Sequence, residues 1–133
     1  MNQSLDNVRS LNLQFRSIVN QFSKALNEKK NEYIRDAAIK RFELAFELSW
    51  KLLKAYIEEY HGLICQSPRS CYREAYKLSI LDYDDYWMSI IDLRNKTAHI
   101  YNLEMAEEIF EELPKVLQRF EKLSNYMKGS IGE

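Results

Sequence analysis

The chain has 133 residues, with 19 Lys and Arg against 20 Asp and Glu and a formal net charge of −1. That balance excludes the broad basic excess that holds many proteins on nucleic acid through phosphate contacts, although a small local cleft escapes a whole-chain count. Three glycines and two prolines among plentiful Leu, Glu, Lys and Ala leave little material for loops, so long helices in a single domain over 1–133 are expected.

The first helix is expected from about Leu5 to Glu28, because Val8, Leu11, Phe15, Ile18, Phe22 and Leu26 recur at spacings of three and four. Asn27 to Asn31 is a polar break. The second helix, about Glu32 to Tyr60, is apolar over much of its circumference, which places it at the centre of a bundle or in a subunit interface. Its one charged stripe runs Asp36, Lys40, Glu43, Glu47, Lys51, Lys54, Glu58. His61-Gly62 ends it, with Gly62 suited to the left-handed position after a helix and His61 a cap residue. Cys65 and Cys71, with no third cysteine and no nearby ligand set, are expected as two reduced thiols.

Ser67-Pro68 reads as an N-cap followed by proline at the first helical position, opening a short helix through Tyr72, Ala75, Tyr76 and Leu78. After a turn over Ile80 to Asp85, Asp84 is the expected cap of the next helix, and Asn102 is expected to end it and cap the last one. Met105, Ile109, Phe110, Leu113, Leu117, Phe120, Leu123 and Met127 mark that final helix, with a kink expected at Pro114 and a frayed tail over 129–133. The expected fold is all-α: an up-and-down four-helix bundle with an extra short helix, forming a dimer. No run is long enough to span a membrane, Met1-Asn2-Gln3-Ser4 is no signal peptide, and a cytoplasmic location is expected.

The chemistry concentrates between Ile90 and Tyr101. Taken as a helix at about 100° per residue, Trp87, Ile90, Ile91, Leu93, Thr97, Ala98 and Tyr101 form an apolar sector with Arg94 in its middle. Asp92, Asn95, His99 and Asn102 fall on an adjoining polar stripe. A guanidinium among apolar neighbours needs an acceptor or a ligand, since an unpaired buried charge is costly. Glu43 or Glu47 is one available acceptor. A phosphate is another, because a guanidinium offers it paired hydrogen bonds, and an imidazole such as that of His99 can take a proton from a hydroxyl near neutral pH. Together Arg94 and His99 suit phosphate or nucleotide binding, or cleavage of RNA by its own 2′-hydroxyl. No nucleophile elbow, zinc-ligand spacing or Gly-rich phosphate loop competes with them, and no metal or cofactor is expected.

Arg94-Asn95-Lys96-Thr97-Ala98-His99 resembles the Arg-x4-6-His motif of the HEPN superfamily, and Tyr101 extends it to Arg-x4-His-x-Tyr. Arg41-Phe42-Glu43-Leu44-Ala45-Phe46-Glu47-Leu48-Ser49-Trp50-Lys51, Ser67-Pro68-Arg69 and Glu107-Glu108-Ile109 are similar to one branch of it, the nucleotidyltransferase substrate-binding proteins. The resemblance covers roughly Ile34 to Leu113.

It implies a homodimer that pairs with a separately encoded minimal nucleotidyltransferase and binds that enzyme's nucleotide or nucleic-acid substrate. Relatives form toxin–antitoxin pairs in which the HEPN protein is an RNase. Carried over, Arg94 would hold the scissile phosphate and His99 would be the acid–base. Asn95 would help to orient the phosphate, and Tyr101 would be the hydroxyl adenylylated by the partner. On a continuous helix Tyr101 would lie two turns from Arg94, so a phosphodiester there would put negative charge beside the guanidinium. Three readings stand at this point: a binding subunit, a ribonuclease toxin, and a scaffold with Arg94 in a plain salt bridge.

Overall fold

A computed structural model describes residues 3–131. Five helices follow one another: α1 (Gln3–Asn27), α2 (Glu32–His61), α3 (Pro68–Lys77), α4 (Tyr86–Thr97) and α5 (Leu103–Ile131). No strand occurs among the described residues. The architecture is the all-α bundle of four main helices with α3 as the short extra one, and α2 touches all the others. Its wide apolar surface explains that position, since only a central helix can bury so much of its circumference.

Local chemistry sets most of the boundaries. The Asn31 side chain accepts the amide of Ile34 at 2.9 Å and caps α2. Gly62 adopts φ 67° and returns its N–H to the Glu58 carbonyl, ending the helix in the left-handed conformation that favours glycine. Ser67 and Ser70 exchange hydrogen bonds in a capping box, with Pro68 opening α3. Asp84 accepts the amide of Tyr86 at 3.0 Å and the Arg119 Nε–H of α5 at 2.9 Å. Burial pushes the Asp84 carboxyl up, but these donors outweigh it and hold the group below its ordinary value.

Phe120 of α5 organises the core. Its ring meets Phe15 and Phe22 of α1 at 5.9 and 6.3 Å, Phe42 of α2 at 6.4 Å and Trp87 of α4 at 6.0 Å. A second layer joins Phe46, Tyr72 and Trp87, with the Tyr72 hydroxyl 2.6 Å from the buried Ser49 hydroxyl. Each fully buried large side chain contributes roughly 1.5–3 kcal/mol, so this aromatic stack is a substantial part of the cohesion of the bundle. Val8, Phe15, Ile18 and Phe22 of the expected α1 seam are buried, and Leu11 and Leu26 are partly so.

Three expectations change. Cys65 and Cys71 are not free thiols but a disulfide, because the chain after Gly62 folds back onto the start of α3 and brings their Cα atoms to 5.1 Å. Helix α4 stops at Thr97 instead of reaching Asn102, although Asn102 does cap α5 by accepting the Met105 amide at 2.9 Å. Helix α5 holds Pro114 within it, as expected, but runs on through Gly129 to Ile131 where fraying was expected, and there Tyr56 on α2 holds Ser130 by a hydroxyl contact. The remainder of the expected frayed tail, 132–133, lies outside the described residues. Among those described, no helix is long and apolar enough to cross a membrane.

Candidate functional site

Buried Trp87, Ile90 and Leu93 anchor α4 to the core, and they fix where Arg94 leaves the helix. The Arg94 guanidinium lies 3.2 Å from Glu43 on α2, and both side chains are about a quarter exposed (27% and 21%). Thr97 closes the triangle: its hydroxyl accepts from Arg94 Nη1 at 3.0 Å and lies 2.8 Å from the Glu43 carboxylate. The puzzle of a cation on an apolar face is thus answered by Glu43. Glu47, the other carboxylate in reach by spacing, instead accepts the Trp50 indole N–H at 3.3 Å. In the sequence Thr97 counts among the apolar positions, and its place three residues after Arg94 on the same face is the one signal of a partner.

The anchorage leaves capacity. Arg94 Nε is buried without a hydrogen bond, and Nη2 makes none among the described residues. Both contacts run through Nη1, so Nη2 is the donor left to meet an oxyanion, whereas the buried Nε cannot reach one.

The histidine is placed differently from the helical expectation. Ala98 and His99 return their amides to Asn95 and Lys96 at 3.3 and 3.0 Å, so the chain tightens into a turn after Thr97. Ala98, His99 and Tyr101 are all exposed, Tyr101 by 80%. The helix arithmetic that put Tyr101 two turns from Arg94 on one face therefore does not apply, and Ala98 and Tyr101 leave the apolar sector. What the structure does bring together is His99 and Tyr101, the hydroxyl lying 3.3 Å from Nδ1. Asn95 is exposed on the last full turn of α4.

The turn itself is pinned from the far side. Glu107 in α5 receives Lys30 from the α1–α2 connection and Arg35 of α2, the latter at 3.2 Å. Those two donors, Lys30 first, hold the Glu107 carboxyl below its ordinary value. Arg35 is buried, a role that its place in the sequence does not announce. The start of α5 is tied to α2 in this way, and the residues between Thr97 and Leu103 must bridge two fixed points.

The match with known proteins now falls into place. Residues 3–129 match the family described as nucleotidyltransferase substrate binding protein like. The chain belongs to that family, the HepT-like branch of the HEPN proteins. A curated relative, the "Probable ribonuclease HepT" of Haemophilus influenzae, is 26% identical over 84 residues, covering 60% of this chain and 58% of that protein. The chain thus aligns with little more than half the length of that relative. A crystal structure of a Thermus thermophilus protein superposes with a TM-score of 0.77 and 31% identity, over 90% of this chain and 99% of that one.

Proposed function

We propose that the chain is a metal-independent endoribonuclease, acting as a homodimer and paired with a separately encoded minimal nucleotidyltransferase that silences it through Tyr101. What carries this reading is a partly exposed guanidinium anchored by Glu43 and Thr97, followed on the next turn by an exposed imidazole. Arg94 binds the scissile phosphate through its unengaged Nη2 group, with Asn95 as a further donor to the same oxygens. The 2′-hydroxyl of the RNA attacks the neighbouring phosphorus, the P–O5′ bond breaks and a cyclic phosphate remains. The proton lost by the 2′-hydroxyl passes to an imidazole, and one is delivered to O5′. A dimer supplies His99 twice, one copy for each transfer.

Tyr101 carries its hydroxyl beside His99, so an adenylyl group there would place a bulky anion at the imidazole and compete with RNA phosphate. This version of silencing works through proximity to His99 and not through a shared helix face with Arg94. A second reading, a binding subunit that presents substrate to the nucleotidyltransferase without cutting it, draws on the Arg94–Glu43 ion pair, which already neutralises the cation.

Expression of the wild type and of His99→Ala without the nucleotidyltransferase separates the two readings. The ribonuclease reading expects growth arrest and cleaved RNA for the wild type alone. Equal harmlessness with RNA binding retained would leave the binding subunit. After incubation with the partner and ATP, mass spectrometry is expected to find AMP on Tyr101; an unmodified tyrosine beside an active partner would remove that claim.

A further inference from the structure

A groove of about 410 Å³ runs between the first turns of α1 and the second half of α2 and shares no lining residue with the Arg94–His99 turn. Trp50, Lys51 and Lys54 form its α2 wall, Asn7 and Leu11 its α1 wall, and Glu58 closes one end. The indole is half-buried and its N–H is committed to Glu47, so the ring is held in place and has no donor left to spend. Lys51 is exposed and Lys54 half-exposed, and neither makes an ion pair among the described residues, although Glu47 and Glu58 stand at four-residue spacing from them. A fixed aromatic surface flanked by two unneutralised ammonium groups is the combination that takes a stacked base with the phosphates on either side of it.

The position of the groove says how it relates to the Arg94 site. Trp50 and Lys54 follow Glu43 by seven and eleven residues, about two and three whole helical turns, so all three lie near one face of α2. Glu43 is the residue that grips Arg94. The distance along the axis from Glu43 to Trp50 is about 10 Å, and to Lys54 about 16 Å, at about 1.5 Å per residue. A strand with one phosphate on Arg94 would reach the groove within a few nucleotides.

We propose that this groove is a secondary subsite for single-stranded RNA, in which Trp50 stacks a base and Lys51 and Lys54 hold backbone phosphates. The proposal rests on the RNA reading of the Arg94 site and adds to it a source of affinity that depends on strand length. Its sequence preference is weak, because every base has a face to stack and the lysines see only phosphate.

The test uses the full chain carrying His99→Ala, so that bound RNA survives, and compares a dinucleotide with a ten-nucleotide strand of mixed sequence by fluorescence anisotropy. The parent is expected to bind the longer strand much more tightly. Lys51→Gln with Lys54→Gln should lose about tenfold of that gain, and the slope of log affinity against log salt should fall by about 1.4, at about 0.7 for each phosphate no longer neutralised. Trp50→Phe, which keeps an aromatic ring against the core, should lose a smaller part without changing the salt slope. If the parent binds neither length, the RNA reading of the Arg94 site fails and this subsite with it. If the parent gains affinity with length and the double lysine variant gains as much, the subsite alone is overturned.

Discussion

Thr97 sits between Arg94 and Glu43 with one hydroxyl serving both, accepting at 3.0 Å and lying 2.8 Å from the carboxylate. Its removal leaves the direct ion pair in place and takes away the bridge. Thr97→Val should therefore cost about 1 kcal/mol, a fall of about 3–6 °C in melting temperature, while Thr97→Ser should keep most of the wild-type value. Calorimetry on the three proteins decides it, and equal melting for valine and wild type would deny the bridge. Sequence could say that Arg94 needed an acceptor but not which one. Glu43 and Glu47 are four residues apart, about 40° around the helix, and both fall within reach by spacing. Only the placement of α4 against α2 chooses Glu43. Thr97 was hidden for another reason, since its methyl fits an apolar sector as well as its hydroxyl fits a polar one.

Elements whose ends are written in local chemistry were readable: Ser67-Pro68 opens α3, Gly62 closes α2 and Asn102 caps α5. The end of α4 carries no such mark. Between Thr97 and Asn102 there is neither glycine nor proline, and the helix stops because α5 must begin where Glu107 meets Lys30 and Arg35. The disulfide was illegible on similar grounds, since pairing depends on where the chain returns after Gly62 and not on the spacing of the cysteines. That bond closes a short loop and should stabilise the fold by about 2 kcal/mol on a chain-entropy estimate. Urea unfolding with and without dithiothreitol should show the loss, and a Cys65→Ser, Cys71→Ser variant should ignore the reductant. Identical midpoints with both thiols shown to be reduced would count against a stabilising role.

For the whole molecule the decisive residue is Phe120, whose ring touches α1, α2 and α4 together. Phe120→Ala should cost about 3–5 kcal/mol, a large part of the roughly 5–15 kcal/mol that holds a domain folded. Chemical denaturation should show a much lower midpoint, and a loss under about 1 kcal/mol would mean the helices do not share one core. Periodicity alone foretold this bundle, because helical seams of Val, Leu, Ile and Phe have few other ways to be buried. It did not foretell that one half of the candidate site would sit on a helix seated in the core and the other on a turn beyond its end. Arg94 is fixed to the core through Trp87, Ile90 and Leu93, whereas His99 and Tyr101 stand on an exposed turn.

That division bears on the motif itself. Had the histidine stayed on α4, each residue added between it and the arginine would have swung it about 100° around the axis, and only one spacing would have worked. Because the helix ends at Thr97, an added residue lengthens a loop instead of turning a shaft. A spacer that varies from four to six is then no puzzle: the arginine keeps its register with α2, and the slack is absorbed on the turn that carries the imidazole.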